Sequence, residues 1–276
     1  MTGEQDEEPR RAAYDAFTAA HSLGAEGRHD EAVTAYRRAL DLYRGLPDSE
    51  QQQAGCLHDI GVALRAMGND EEAVVAYRQA ADLYRCLSGN ERDQADCLYH
   101  VADILDTTGR QEEAASDYRR ALDLYRGLPD SEQQQASCLY NIAITLGDMG
   151  RHEEAVAAYR RALDLYRGLP DTEYDQADCL NDIANILRKT EQHEEAVAAC
   201  RQALDLYRGL PGGHRAAAGQ HPVQCWPRSG RYRPRGGSAN RLPAGPGSLS
   251  RPAGQRAAAG QLPVQHRRRP VCSRTL

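Results

Sequence analysis

The sequence predicts an all-α fold, a right-handed superhelical solenoid of five antiparallel helix pairs followed by a disordered tail. Three observations carry that prediction. Tyr36, Tyr77, Tyr118 and Tyr159 each open a near-copy of one stretch, always 41 residues apart, with Cys200 at the fifth position. A fixed period of this length marks a stack of supersecondary units, each sheltering its apolar face against its neighbours. Inside every period the apolar residues recur at helical spacing, and Gly and Pro fall between the stripes, where helices end.

The elements follow in order. Residues 1–9, from Met1 to Pro9, are acidic and read as a disordered N-terminus. The array spans 10–211, in units of about 10–50, 51–91, 92–132, 133–173 and 174–211. In the second unit Ala54, Leu57, Ile60, Gly61 and Leu64 share one face of a first helix from about 51 to 66. Gly68 suits the left-handed residue that closes a helix. Asn69 and Glu72 have capping-box spacing for the second helix, whose stripe is Ala73, Tyr77, Ala80, Leu83 and Tyr84. At the exit of the first unit, Gly45 reads as a left-handed C′ residue, Leu46 as its Schellman contact and Pro47 as the stop. Ser49 and Gln52 then offer a cap for the following helix. In the fifth unit Glu191 stands where Gly68, Gly109 and Gly150 stand elsewhere, and is expected to loosen that turn.

The spacing resembles the tetratricopeptide repeat, whose signature positions fall on Leu57, Ile60, Gly61, Leu64, Gly68, Ala73, Tyr77 and Ala80. The family's common unit is 34 residues, so this chain is similar to its longer-unit variety, such as occurs in kinesin light chains. The terminating Pro is displaced to Pro47, Pro129, Pro170 and Pro211, beyond a longer second helix. The resemblance implies a non-enzymatic protein- or peptide-binding scaffold with an assembly or regulatory role.

It also implies that first helices line a concave groove and hold ligands on their non-core residues. By register these are Tyr14 and Phe17 in the first unit, and His58 and Asp59 in the second. The third supplies Asp96, Tyr99, His100 and Asp103, and the fourth Tyr140 and Asn141. Asp178, Asn181, Asp182 and Asn185 complete the set. Carboxylates interspersed with Tyr and His suit a basic or amphipathic peptide. The family's carboxylate clamp for acidic peptide ends needs Lys or Arg with Asn in adjacent units, and only Asn141, Asn185, Arg188 and Lys189 resemble it.

After Pro211 the composition changes abruptly. Residues 1–211 hold all 40 acids against 22 Arg and Lys, a charge of −18, whereas 212–276 hold 12 Arg and no acid. Such a basic segment, with Trp226, Tyr232 and Arg267 to Arg269, imitates a nucleic-acid-binding arm. Yet the period survives. His214 to Gln224 and Gln255 to Gln265 are near-copies 41 residues apart. Reading the last two bases of each codon with the first of the next, Leu242 to Gly254 can spell Tyr-Arg-Arg-Ala-Leu-Asp-Leu-Tyr-Arg-Gly-Leu-Pro-Gly, which is the repeat itself. The tail is thus expected to be an out-of-frame continuation of the array. Polyanion binding through it, and an inactive frameshifted product, stand as alternative readings. The unit ending at 211 also leaves an uncapped end through which copies could self-associate.

Other chemistry finds no support. Cys56, Cys97, Cys138 and Cys179 recur at one position of successive first helices, about 10 Å apart on helix-packing distances, too far for a disulfide or a four-sulfur zinc site. They read as small buried apolar groups. No phosphate-binding loop, metalloprotease or hydrolase motif occurs, so neither a catalytic residue nor a cofactor or metal is expected. No apolar run approaches membrane-spanning length and the start lacks a secretory signal, so the expected compartment is the cytoplasm.

Overall fold

The computed structural model describes residues 7–210. Those residues form ten α-helices and no strand. The first helices of the five units are α1 (Glu7–Ala25), α3 (Glu50–Ala66), α5 (Glu91–Thr107), α7 (Glu132–Asp148) and α9 (Glu173–Lys189). The second helices are α2 (His29–Arg44), α4 (Asp70–Cys86), α6 (Gln111–Arg126), α8 (His152–Arg167) and α10 (His193–Gly209). Each helix packs on its predecessor and its successor, which is solenoid packing. Helix α1 begins at Glu7, within the stretch 1–9 that composition assigned to disorder. The tail 212–276 lies outside the described residues.

Each hairpin turn closes in the same way. Gly68 has φ +80°, its N–H donates to Arg65 O at 3.0 Å, and Asn69 N–H donates to Leu64 O at 2.9 Å, the two bonds of a Schellman motif. The fifth unit keeps this motif with Glu191 at φ +62°, Gln192 N–H on Leu187 O at 2.8 Å and Glu191 N–H at a longer 3.4 Å from Arg188 O. The turn still closes, with one bond lengthened and a side chain held in the left-handed region. The expected capping box at Asn69 does not form. Glu72 reaches 3.2 Å to Arg37 of the preceding unit.

The connections between units also differ from expectation. Gly45 is right-handed at φ −79°, and the left-handed residue is Asp48 at φ +50°. Ser49 does not cap the helix that follows it. Its hydroxyl turns back to donate to Tyr43 O at 2.5 Å and Leu46 O at 2.9 Å, and Gln53, not Gln52, joins it at 3.0 Å. Ser131 and Thr172 repeat this. With the C-cap glycine right-handed, the chain runs on in short i→i+3 turns past the helix end, and a buried hydroxyl joins the carbonyls turned into the stack.

Small residues set the spacing within a pair. A Cβ placed on Gly61 would lie 2.9 Å from the Tyr77 ring, so the ring seats directly on the α3 backbone. Tyr36, Tyr118 and Tyr159 pack edge-on against Phe17, Tyr99 and Tyr140, with ring centroids 5.3 to 5.5 Å apart. The four recurrent cysteines are fully buried, and burial pushes the Cys56 thiol up to about 12, so they act as inert packing groups.

Candidate functional site

Residues 42 apart in the sequence meet across successive first helices. The His58 and His100 rings lie 5.7 Å apart, Asn141 Nδ2 donates to Tyr99 Oη at 2.7 Å, and Tyr140 Oη donates to Asp182 at 2.9 Å. Second helices meet differently, through long exposed Arg–Glu chains such as Arg37–Glu72 and Arg160–Glu195.

Of the first-helix positions expected to bind, His58, Asp59, Asp96, Tyr99, His100, Asp178, Asn181, Asp182, Asn185 and Tyr14 are partly exposed. Phe17, Asp103, Tyr140 and Asn141 are buried. Phe17 belongs to the core, edge-on to Tyr36. Asp103 is enclosed by Arg65 of the preceding unit and the Tyr118 hydroxyl. Burial opposes the Arg65 charge, but the field and hydrogen bond of Asp103 outweigh it and hold the guanidinium above its ordinary value. Splitting such a pair would strand a buried charge, at a cost of about 3–5 kcal/mol.

Two further carboxylates are anchored from the second helices. Tyr125 donates to Asp96 and Tyr207 to Asp178. Burial raises Asp96 above the ordinary carboxylate range, with the Tyr125 hydrogen bond offsetting part of the effect. Burial likewise pushes Asp178 up to about 6, against the same kind of offset from Tyr207. These hydroxyls and Arg65 escaped the sequence reading. The signal was there: Arg65 is the sole cation before residue 188 at its register position, and Asp103 lies one unit on.

A separate cleft of about 360 Å³ opens between α8 and α10, floored by Leu180, Ile183 and Leu187 and rimmed by Arg160, Arg167 and Glu195. It brings no nucleophile or acid–base pair together. Among the described residues no cluster of His, Cys, Asp and Glu could hold a metal ion.

The family profile described as Tetratricopeptide repeat matches residues 13–85, 57–127, 96–168 and 134–209, well over half of the sequence. The chain belongs to the tetratricopeptide repeat family. Among curated protein sequences nothing matches. Solved tetratricopeptide structures share the fold. BtubC (BKLC) from P. vanneervenii is 21% identical, with 84% of this chain and 94% of that one covered and a TM-score of 0.63. A putative kinesin light chain from Podosopora anserina with nearly identical TPR-like repeats is 17% identical, covering 72% and 95%, with a TM-score of 0.58. MamA from Desulfovibrio magneticus RS-1 is 14% identical, covering 72% and 97%, with a TM-score of 0.57. Such repeats generally mediate protein–protein contacts. No helix among the described residues of this tetratricopeptide chain is long and apolar enough to cross a membrane.

Proposed function

We propose that the chain is a non-enzymatic scaffold that holds a basic or amphipathic peptide segment of a partner protein against the inner face of its first helices. The observation that carries this reading is the row of partly exposed carboxylates Asp59, Asp96, Asp178 and Asp182, fixed by hydroxyl donors and neighbouring rings. Preset acceptors on a rigid face need little reorganisation when a cation arrives. Tyr99 and the His58 and His100 rings supply flat surfaces beside them for apolar or cationic side chains.

The test is titration of the full chain with an Arg-bearing amphipathic peptide, compared with the triple variant Asp59→Asn, Asp178→Asn, Asp182→Asn. The amide oxygens keep the tyrosine hydrogen bonds while the charges go. Binding should weaken about tenfold or more, roughly 1.4 kcal/mol, and the loss should shrink at high salt. Equal affinity in parent and variant would overturn the groove reading.

A further inference from the structure

An imidazole changes charge between pH 5 and 8, and two of them meet where the second and third units join. His58 on α3 and His100 on α5 stand 5.7 Å apart between ring centroids. The Tyr77 ring of α4 lies against both, edge-on to His58 at 5.5 Å and stacked on His100 at 5.1 Å. The corresponding contacts further along the array are hydrogen bonds, Asn141 to Tyr99 and Tyr140 to Asp182. The joint between units two and three is therefore built from groups that can both become cations.

The groups around the pair set the sign of its response. His58 Nδ1 lies 3.1 Å from Asp59 Oδ1 on the same helix. A carboxylate only accepts, so Nδ1 carries the proton of the neutral ring and a second proton adds at Nε2. Asp96 on α5 lies within the field of His58. Burial raises the Tyr36, Tyr77 and Tyr118 phenols on α2, α4 and α6, so these stay uncharged. Arg65 and Asp103 neutralise each other. On α1, His21 Nδ1 is turned to Tyr36 Oη at 3.3 Å, and α7 places the uncharged Asn141 beside Tyr99. With both imidazoles neutral, this part of the first-helix row carries the negative charges of Asp59 and Asp96. With both protonated those charges are cancelled, and two cations face each other across the joint.

We propose that the His58–His100 pair makes capture of a basic segment proton-gated: the segment is held while the rings are neutral and released when they charge. The proposal rests on the reading that the first helices bind such a segment. Linkage runs in both directions. A bound cation that repels the charged rings must also drive protons off them as it arrives. Asp96 and Asp178, raised by burial, take up protons in the same sense and account for a smaller share of the response.

The experiment is calorimetric titration of the full chain with an Arg-bearing amphipathic peptide at about pH 7.5, 6 and 5.5. Parent and the double variant His58→Gln, His100→Gln are compared in two buffers of different ionisation enthalpy. The readings are the ratio of affinities at the highest and lowest pH and the protons released per peptide bound. Neither depends on what the substitutions do to the absolute affinity. In the parent the affinity should fall about tenfold or more across the range, with proton release at the middle pH. In the double variant the fall should shrink to about threefold or less, and proton release should drop by about half or more. Equal ratios in parent and variant overturn the gate. So does a loss of helical circular dichroism in the parent over the same range, which assigns the fall to unfolding. Should the double variant not fold, His58→Gln alone is measured; lower proton release supports the gate and unchanged release rejects it. A parent that binds no peptide at the highest pH defeats the binding reading and the gate together. A parent that binds equally well at every pH defeats the gate alone.

Discussion

Glu191 and Asp178 show how single residues depart from the pattern around them. Glu191 occupies a left-handed position filled by Gly27, Gly68, Gly109 and Gly150 in the other units. A side chain there costs about 1–2 kcal/mol, so Glu191→Gly should stabilise the array by about 1 kcal/mol in urea denaturation. A neutral or destabilising result would mean that the carboxylate makes a compensating contact. Asp178 is raised from 3.8 to about 6 by burial, ahead of the opposing Tyr207 hydrogen bond. The folded protein therefore binds a proton that the unfolded chain releases. The stability this adds is complete below about pH 4 and disappears as pH rises through 6. Asp178→Asn cannot ionise, so its melting temperature should gain on that of the parent between pH 4 and 7. A difference that stays constant across that range rejects the assignment.

At the scale of the element, the recurrent hydroxyl between units is a structural joint. Ser131 donates to Tyr125 O at 2.6 Å and Leu128 O at 2.8 Å, and receives Gln135 Nε2 at 3.0 Å. Ser131→Ala takes the hydroxyl from Leu128 O and leaves Tyr125 O with the Leu128 N–H and a long Gln135 contact, and should lower stability by about 1 kcal/mol with an unchanged urea m-value. A loss below a few tenths of a kcal/mol would show that water reaches the joint. Sequence reasoning placed all ten helices because period, stripe and glycine positions agree, and it found the Gly68 turn for the right reason. It misassigned Ser49 and Gly45 because local capping rules do not know that the chain stays right-handed through Gly45 and turns only at Asp48, next to the following unit. The non-core positions of the first helices were legible as a register. Their burial was not, since Phe17, Asp103, Tyr140 and Asn141 are covered by contacts with residues 15 to 42 positions away.

Over the whole molecule, stability is a sum of unit and neighbour terms rather than the property of one closed core. Helix α10 buries only Ala196, Ala199 and Ala203, against six or seven residues in each of α2, α4, α6 and α8. Native-state hydrogen exchange should therefore show α10 opening first and α5 to α8 last, with the α10 amides exchanging at least tenfold faster. Uniform protection along the array would indicate a single cooperative block.

The pairs that join residues 42 apart have a consequence for the order of the modules. Each contact takes one member from either of two consecutive copies: imidazole against imidazole, phenol with amide, phenol with carboxylate. The second helices are near-duplicates, yet transposing any two interior copies would pair a donor with the wrong neighbour on both sides. The copies are alike in shape but not interchangeable in place, so recombination between them is filtered by chemistry as well as by length.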